Sequence, residues 1–297
     1  MRTGIGYSLL YIWVKLHACL PLRLLYLLSD ILYLLMYRVV GYRLKVTRRN
    51  MRASFPEKTT RELRRMERDF YHHFADYFVE TIKLAHVSEK EIQRRACMKN
   101  PQLIDELMHK EGHTCILVML GHYGNWEWFT AGNSFFVEAR MYPIYRPLNN
   151  KAFDRLFVYL RARFGSTGIR QHETLRDLVR LKREKTPALA VLLADQTPGR
   201  ADLNYWTSFL KQNSAILTGP ERIARKLNLP VVYADVRKPK RGYYSVEFKL
   251  LTATPQEMPS YDLTERYARL MEQTILRNPA YWLWTHRRWK YKPDDAL

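Results

Sequence analysis

Cysteine is scarce: the 297 residues hold three, at Cys19, Cys97 and Cys115, with no CxxC spacing among them. That excludes a disulfide framework and a zinc ligand set, and reduced thiols suit a protein facing a cytoplasm. Cys115 lies in an apolar run and reads as a small core residue. Acidic residues are the minority charge, 29 Asp and Glu against 49 Lys and Arg, for a formal net charge of +20. Such an excess predicts contact with something acidic: nucleic acid, anionic lipid headgroups, a phosphorylated substrate or an acidic carrier protein. A GxSxG elbow, a P-loop and a dinucleotide-binding GxGxxG are all missing. Nothing therefore points to a covalent nucleophile or an organic cofactor. Internal repeats, low-complexity tracts and Gly/Ser linkers are absent as well.

What is present begins with an apolar N-terminus. Residues 5–37 read IGYSLLYIWVKLHACLPLRLLYLLSDILYLLMY, interrupted by Lys15, Arg23 and Asp30 and broken by Pro21. No stretch of 18 uncharged residues lies within it, so a simple spanning helix does not describe it. It is too long for a signal peptide, and no small-residue cleavage site follows. Arg38, Arg43, Lys45, Arg48, Arg49 and Arg52 crowd in next. An apolar segment followed by a basic cluster is the pattern of a cytoplasm-facing membrane anchor; a buried helical hairpin is the bland alternative. Residues 1–45 are expected to form the anchoring segment and residues 46–297 a separate domain.

That domain alternates two periodicities. Thr59 and Glu62 form a capping box, after which Leu63, Met66, Phe70, Phe74, Tyr77 and Phe78 recur at helical spacing. His72 and His73 are adjacent, point about 100° apart on a helix and cannot clamp one ion. Ser88 and Glu91 open a further short helix. Continuous apolar runs at 114–120, 188–194 and 229–236 suit strands buried on both faces. Between them, 154–164, 172–184 and 218–229 carry helical patterns, the last opened by Thr218, Pro220 and Glu221. Residues 243–251 alternate Tyr244, Val246, Phe248 and Leu250 with Ser245, Glu247 and Lys249, a strand with one solvated face. A helix from Asp262 to Arg277 closes the pattern before Pro279. The expected class is α/β, with a mixed, largely parallel sheet flanked by helices.

Function in such sheets sits beyond the C-terminal ends of strands. Gly121-His122 follows the first run, Asp195-Gln196 the second, and Arg146-Pro147-Leu148-Asn149-Asn150 the short run ARMYPIY. Glu127 lies five residues after His122. Five residues turn a helix by 500°, leaving the two side chains about 140° apart, and on a strand they face opposite ways. They meet only in a turn, which Gly121, Gly124 and Asn125 supply. A carboxylate beside imidazole fixes its tautomer and makes a general base; alone, the spacing fits equally an aromatic turn with a hydrogen-bonded histidine. His109 and His113 have metal-pair spacing, but Gly112 ends the helix between them, so no metal site is expected.

GHYGNWEW (121–128), YRPLNN (145–150), LLADQTPG (192–199) and NPAYWLWTHRRWK (278–290) together resemble the bacterial lipid A biosynthesis acyltransferases, within the lysophospholipid acyltransferase superfamily. The resemblance runs from NMRASFPE at 50–57 to THRRWK at 285–290 and includes the apolar anchor. It implies a glycerolipid acyltransferase-like fold and transfer of a fatty acyl chain from an acyl carrier protein to a hydroxyl of a lipid A precursor. No covalent intermediate, cofactor or metal is implied. His122 would be the general base and Glu127 its orienting carboxylate. Arg146 would meet acceptor phosphate or oxyanion, with Asn149 in the same block. Asp195 would hold the acceptor sugar or support Arg146, and Arg287 and Arg288 would lie near the site. Anionic membrane lipids are implied partners, at the cytoplasmic face of the inner membrane. A lysophospholipid, glycolipid or aminolipid acceptor is the nearest alternative. A non-catalytic basic membrane-binding protein is an alternative of another class. The anchor, and the lack of any recognised module, argue against nucleic acid.

Overall fold

A computed structural model describes residues 4–109, 113–136 and 138–296. Its strands are β1 (Ala96–Met98), β2 (Cys115–Leu120), β3 (Arg140–Tyr145), β4 (Ile169–Arg170), β5 (Ala188–Leu193), β6 (Trp206–Phe209), β7 (Gln212–Ala215), β8 (Val231–Lys240) and β9 (Tyr243–Thr252). Seven form one sheet in the order β1-β9-β8-β2-β5-β3-β4, and β6 with β7 makes a separate hairpin. β8, β2, β5, β3 and β4 run parallel; β9 opposes β8, and β1 follows β9. The expected α/β class with a mixed, largely parallel sheet is what forms. β2 is buried along its whole length and β5 nearly so, as their unbroken apolar runs require.

The alternation of β9 holds through Tyr244, Val246 and Phe248 and then fails at Leu250, which is exposed. Val231 pairs with Thr252 but Val232 with Leu250, so Leu251 is an extra residue in a bulge. An extra residue shifts every later side chain to the other face, and Leu251 takes the inward place.

The helices are α1 (Ile5–Ala18), α2 (Leu22–Leu34), α3 (Leu44–Ser54), α4 (Thr60–Lys83), α5 (Glu89–Arg95), α6 (Gln102–His109), α7 (Trp126–Thr130), α8 (Lys151–Ala162), α9 (Thr174–Arg183), α10 (Gly219–Leu227) and α11 (Asp262–Arg277). α4 begins at the expected box: the Thr59 N–H donates to Glu62 Oε2 at 2.8 Å, and the Glu62 N–H donates to Thr59 Oγ1 at 3.3 Å. Met66, Phe70, Phe74 and Tyr77 are buried. His72 stacks on Tyr33 near the surface while buried His73 faces Lys238 Nζ at 3.0 Å, so the two histidines point apart. α6 is described to His109; Gly112 lies outside the described residues.

Among the described residues no single helix is long and apolar enough to cross a membrane. α1 and the α2 stretch to Val39 form a pair bent by 119° at the Pro21 break. α2 packs on α4, and α1 on α4 and α8. Two of the three interrupting charges are tied to the rest of the fold. Lys15 Nζ donates to the Ala85 carbonyl, and Asp30 takes Arg241 at 2.6 Å. Lys83 from α4 caps the end of α1 by donating to the Ala18 and Leu20 carbonyls. Outward, Ile5, Leu9, Ile12 and Leu16 on α1, and Leu24, Leu27, Ile31 and Leu34 on α2, make exposed apolar stripes.

Candidate active site

Parallel pairing of β2 with β5 sets the site. Every paired position differs by 73, from Cys115 with Ala188 to Leu120 with Leu193. Two places further, the same offset brings His122 beside Asp195. His122 Nδ1 lies 2.7 Å from Asp195 Oδ1, and the His122 backbone N–H donates to Asp195 Oδ2 at 2.9 Å. The Trp282 indole N–H donates to the same oxygen at 2.7 Å. A side chain at Gly121 would not fit, because a Cβ there would sit 2.4 Å from the Met271 side chain and 3.2 Å from Asp195 Cγ. Asp195 is buried, and burial alone would raise its pKa. The His122 ring beside it and the donated hydrogen bonds outweigh burial and hold it at about 2, below its ordinary 3.8. An ionised carboxylate only accepts, so Nδ1 carries the proton and Nε2 the lone pair. The Gln196 side-chain nitrogen stands 3.2 Å from Nε2, and Trp126 meets the ring edge-on.

The expected His122–Glu127 contact is not formed. The turn is as expected: Gly124 has φ of +65° and Asn125 caps α7 by accepting from the Trp128 N–H. Asn125 also donates to buried Glu80, which accepts from Tyr26 and Tyr244 as well. α7 then carries the Glu127 carboxylate toward α8 rather than back to His122. Arg161 grips it with two parallel bonds, Nε to Oε2 at 2.9 Å and Nη2 to Oε1 at 2.7 Å. Burial works against the Arg161 charge, but Glu127 outweighs it and raises the guanidinium pKa. Arg161 was invisible as a site residue in sequence. Its one signal is a cation on the helical stretch 154–164 that also presents buried Leu156 and Leu160.

Arg146 and Asn149 are exposed, at and just after the end of β3. Arg146 borders a cavity of about 170 Å³ with Tyr77, Glu127, Tyr145, Phe157 and Arg161. Tyr77 stacks on Trp126, so this cavity and His122 share one aromatic wall. Asn150, not Asn149, does the local structural work by capping α8. Tyr77 and Phe157 also border a cavity of about 450 Å³ between α1, α2, α4 and α8, walled by Leu10, Val14, Leu32, Met36 and Leu160.

The C-terminal arginines separate. Arg287 is exposed, whereas Arg288 is buried, donates to the Ala215 carbonyl at 2.7 Å and lies over Phe209. Burial lowers the Arg288 pKa to about 10 against the pull of Asp195. His286 accepts from the Thr197 N–H at 3.4 Å, and burial pushes its pKa down to about 4. Trp282 lies in the same quoted block; its role was missed because a tryptophan there reads equally as core.

A family model described as bacterial lipid A biosynthesis acyltransferase matches residues 2–291. The lipid A biosynthesis lauroyltransferase of Escherichia coli strain K12 is 24% identical over 301 residues, 99% of this chain and 93% of that protein. The lipid A biosynthesis palmitoleoyltransferase of the same strain is 24% identical over 300 residues, 98% of this chain and 92% of that protein. A lipid A biosynthesis acyltransferase of Shigella flexneri matches with the same identity and coverage.

Proposed function

The chain belongs to the bacterial lipid A biosynthesis acyltransferase family and is an acyltransferase; from that premise we propose that it moves a fatty acyl chain from a carrier-protein thioester to a hydroxyl of a lipid A precursor. The observation that carries this reading is the His122–Asp195 pair at the ends of two neighbouring strands, with Nε2 on the side away from Asp195 and met by the Gln196 side chain.

The acceptor hydroxyl displaces the Gln196 amide and gives its proton to His122 Nε2. Its oxygen bonds to the thioester carbonyl carbon, and the carbonyl electrons move onto oxygen. Asp195 offsets the imidazolium charge that forms. The tetrahedral intermediate collapses, expelling the thiolate, which takes the proton back from Nε2. Ester and free thiol result, with no covalent enzyme intermediate. The released Gln196 amide is near enough to donate to the oxyanion. Glu127 holds Arg161, and Arg146 beside them meets phosphate on the acceptor. Asn149 and Arg287, both exposed near strand ends, remain candidate acceptor contacts. Arg288 acts through packing behind Asp195.

The apolar cavity under α1 and α2 suits the acyl chain, and the exposed stripes of those helices suit the cytoplasmic face of the inner membrane. The net charge of +20 suits an acidic carrier protein and anionic lipids. His122→Ala is expected to abolish transfer from acyl carrier protein thioester while leaving membrane association intact. Mass spectrometry of lipids from cells with and without the protein is expected to show lipid A species differing by one acyl chain. A change confined to phospholipids would transfer the reading to a lysophospholipid acceptor.

A further inference from the structure

Away from the site, Arg38, Arg48, Arg52, Arg61, Arg64 and Arg68 surround one cleft of about 760 Å³. Arg48 and Arg52 stand four apart on α3; Arg61, Arg64 and Arg68 make a stripe along the start of α4. Like charges at these spacings repel, and cations in the first turns of a helix oppose its dipole. This placement works against the stability of α4, whereas Arg52 in the last turn of α3 suits that helix's dipole. The acid in the cleft relieves Arg48 alone. Glu67 is buried and already holds Arg48 at 2.8 and 3.0 Å and the Tyr37 hydroxyl at 2.8 Å. Arg38, Arg52, Arg61, Arg64 and Arg68 form no ion pair among the described residues and are exposed.

The position of the cleft names its occupant. Arg38 lies in the π-helical end of α2, between exposed Leu35 and exposed Val39 and Val40. Those side chains continue the apolar stripe of α2. Buried Met51 and half-buried Leu63 give the cleft an apolar floor. Guanidinium groups over apolar walls, at the edge of an apolar stripe, match a phosphate ester whose hydrocarbon begins beside it.

We propose that this arginine cleft binds the phosphate headgroup of an anionic membrane phospholipid and thereby fixes how α1 and α2 seat on the bilayer. The inference rests on the membrane seating in the reading above, but not on its chemistry. The test is co-sedimentation of the full chain with vesicles of phosphatidylcholine, alone or mixed with phosphatidylglycerol. Arg52→Gln with Arg64→Gln is expected to weaken the phosphatidylglycerol-dependent part by about fivefold per arginine, about 25-fold for the pair. Arg140→Gln with Arg183→Gln removes the same charge from exposed positions at the other ends of the strands and is expected to change nothing. Equal losses from both pairs would mean general attraction and overturn the site, as would no loss from the cleft pair. Unchanged vesicle binding with lost binding of purified acyl carrier protein would assign the cleft to an acidic protein instead. Turnover in detergent micelles separates the two readings: the cleft pair keeps it, whereas His122→Ala loses it. Activity surviving in His122→Ala would sink the catalytic assignment and leave the vesicle result standing.

Discussion

Asp195→Asn isolates the proton chemistry from the architecture. Asp195 Oδ2 receives two donors, the His122 backbone N–H and the Trp282 indole N–H, while Oδ1 faces His122 Nδ1. An asparagine keeps its carbonyl oxygen on the two fixed donors and so turns its NH2 group toward Nδ1. Nδ1 must then accept, and the imidazole proton moves to Nε2, where the proposed proton transfer needs a lone pair. The ring stays in place and the base is lost. In a hydroxyl–histidine–aspartate relay this exchange costs about 10⁴-fold in kcat, about 5.5 kcal/mol of transition-state stabilisation. The expected result is a fall in kcat of that order with KM little changed, measured as acyl transfer from carrier-protein thioester. A second readout is acid stability. A carboxylate depressed from 3.8 to about 2 contributes about 2 kcal/mol that is present above pH 4 and lost as pH falls through 2. The asparagine variant lacks that dependence. A kcat within tenfold of the parent would refute the assignment. So would a larger loss in Glu127→Gln at an unchanged melting temperature, which would return the role to Glu127.

Glu127→Ala leaves Arg161 buried without its partner, so a cost of about 3–5 kcal/mol and a melting temperature lower by on the order of 10 °C are expected. An unchanged melting curve would contradict it. Gly121→Ala should push Met271 into Asp195 and lower kcat, with partial recovery on adding Met271→Ala. His286, held near 4 by burial, contributes stability that is full above about 6.5 and declines as pH falls toward 4. His286→Gln should flatten the denaturant midpoint across that window. Buried His73, lowered by burial and by Lys238, keeps part of the slope.

β2, β5 and the first half of β8 could be read in the sequence because strand segments buried on both faces are largely apolar; the charged end of β8 from Arg237 to Lys240 carries no such run. β1 and β4 could not, since three and two residues carry no period. The β6–β7 hairpin hid for another reason. Its turn uses Leu210 and Lys211, with φ of 51° and 61°, where a glycine or asparagine announces such turns. Buried Leu210 is held there instead by its N–H to Glu272. The site shows the same division. His122 and Asp195 were both marked as residues just past strand ends, but their pairing is a register between segments 73 residues apart. Local spacing offered Glu127 as the carboxylate, and only the orientation of α7 against α8 sends it elsewhere. Likewise, nothing in HRRWK tells the buried Arg288 from the exposed Arg287.

The ties of α1 and α2 to the rest of the fold limit how this enzyme can be re-engineered. A mere tether could be exchanged for any other of equal reach, but these helices are masonry. They wall the cavity of about 450 Å³ with Leu10, Val14, Leu32 and Met36. They lend Tyr26 to Glu80, which holds the turn after His122 through Asn125, and give Asp30 to Arg241. A chain shortened to residues 46–297, or grafted onto a foreign membrane helix, should aggregate rather than yield a detachable soluble catalyst. Recovery of a monomeric, active truncation would show those contacts to be dispensable.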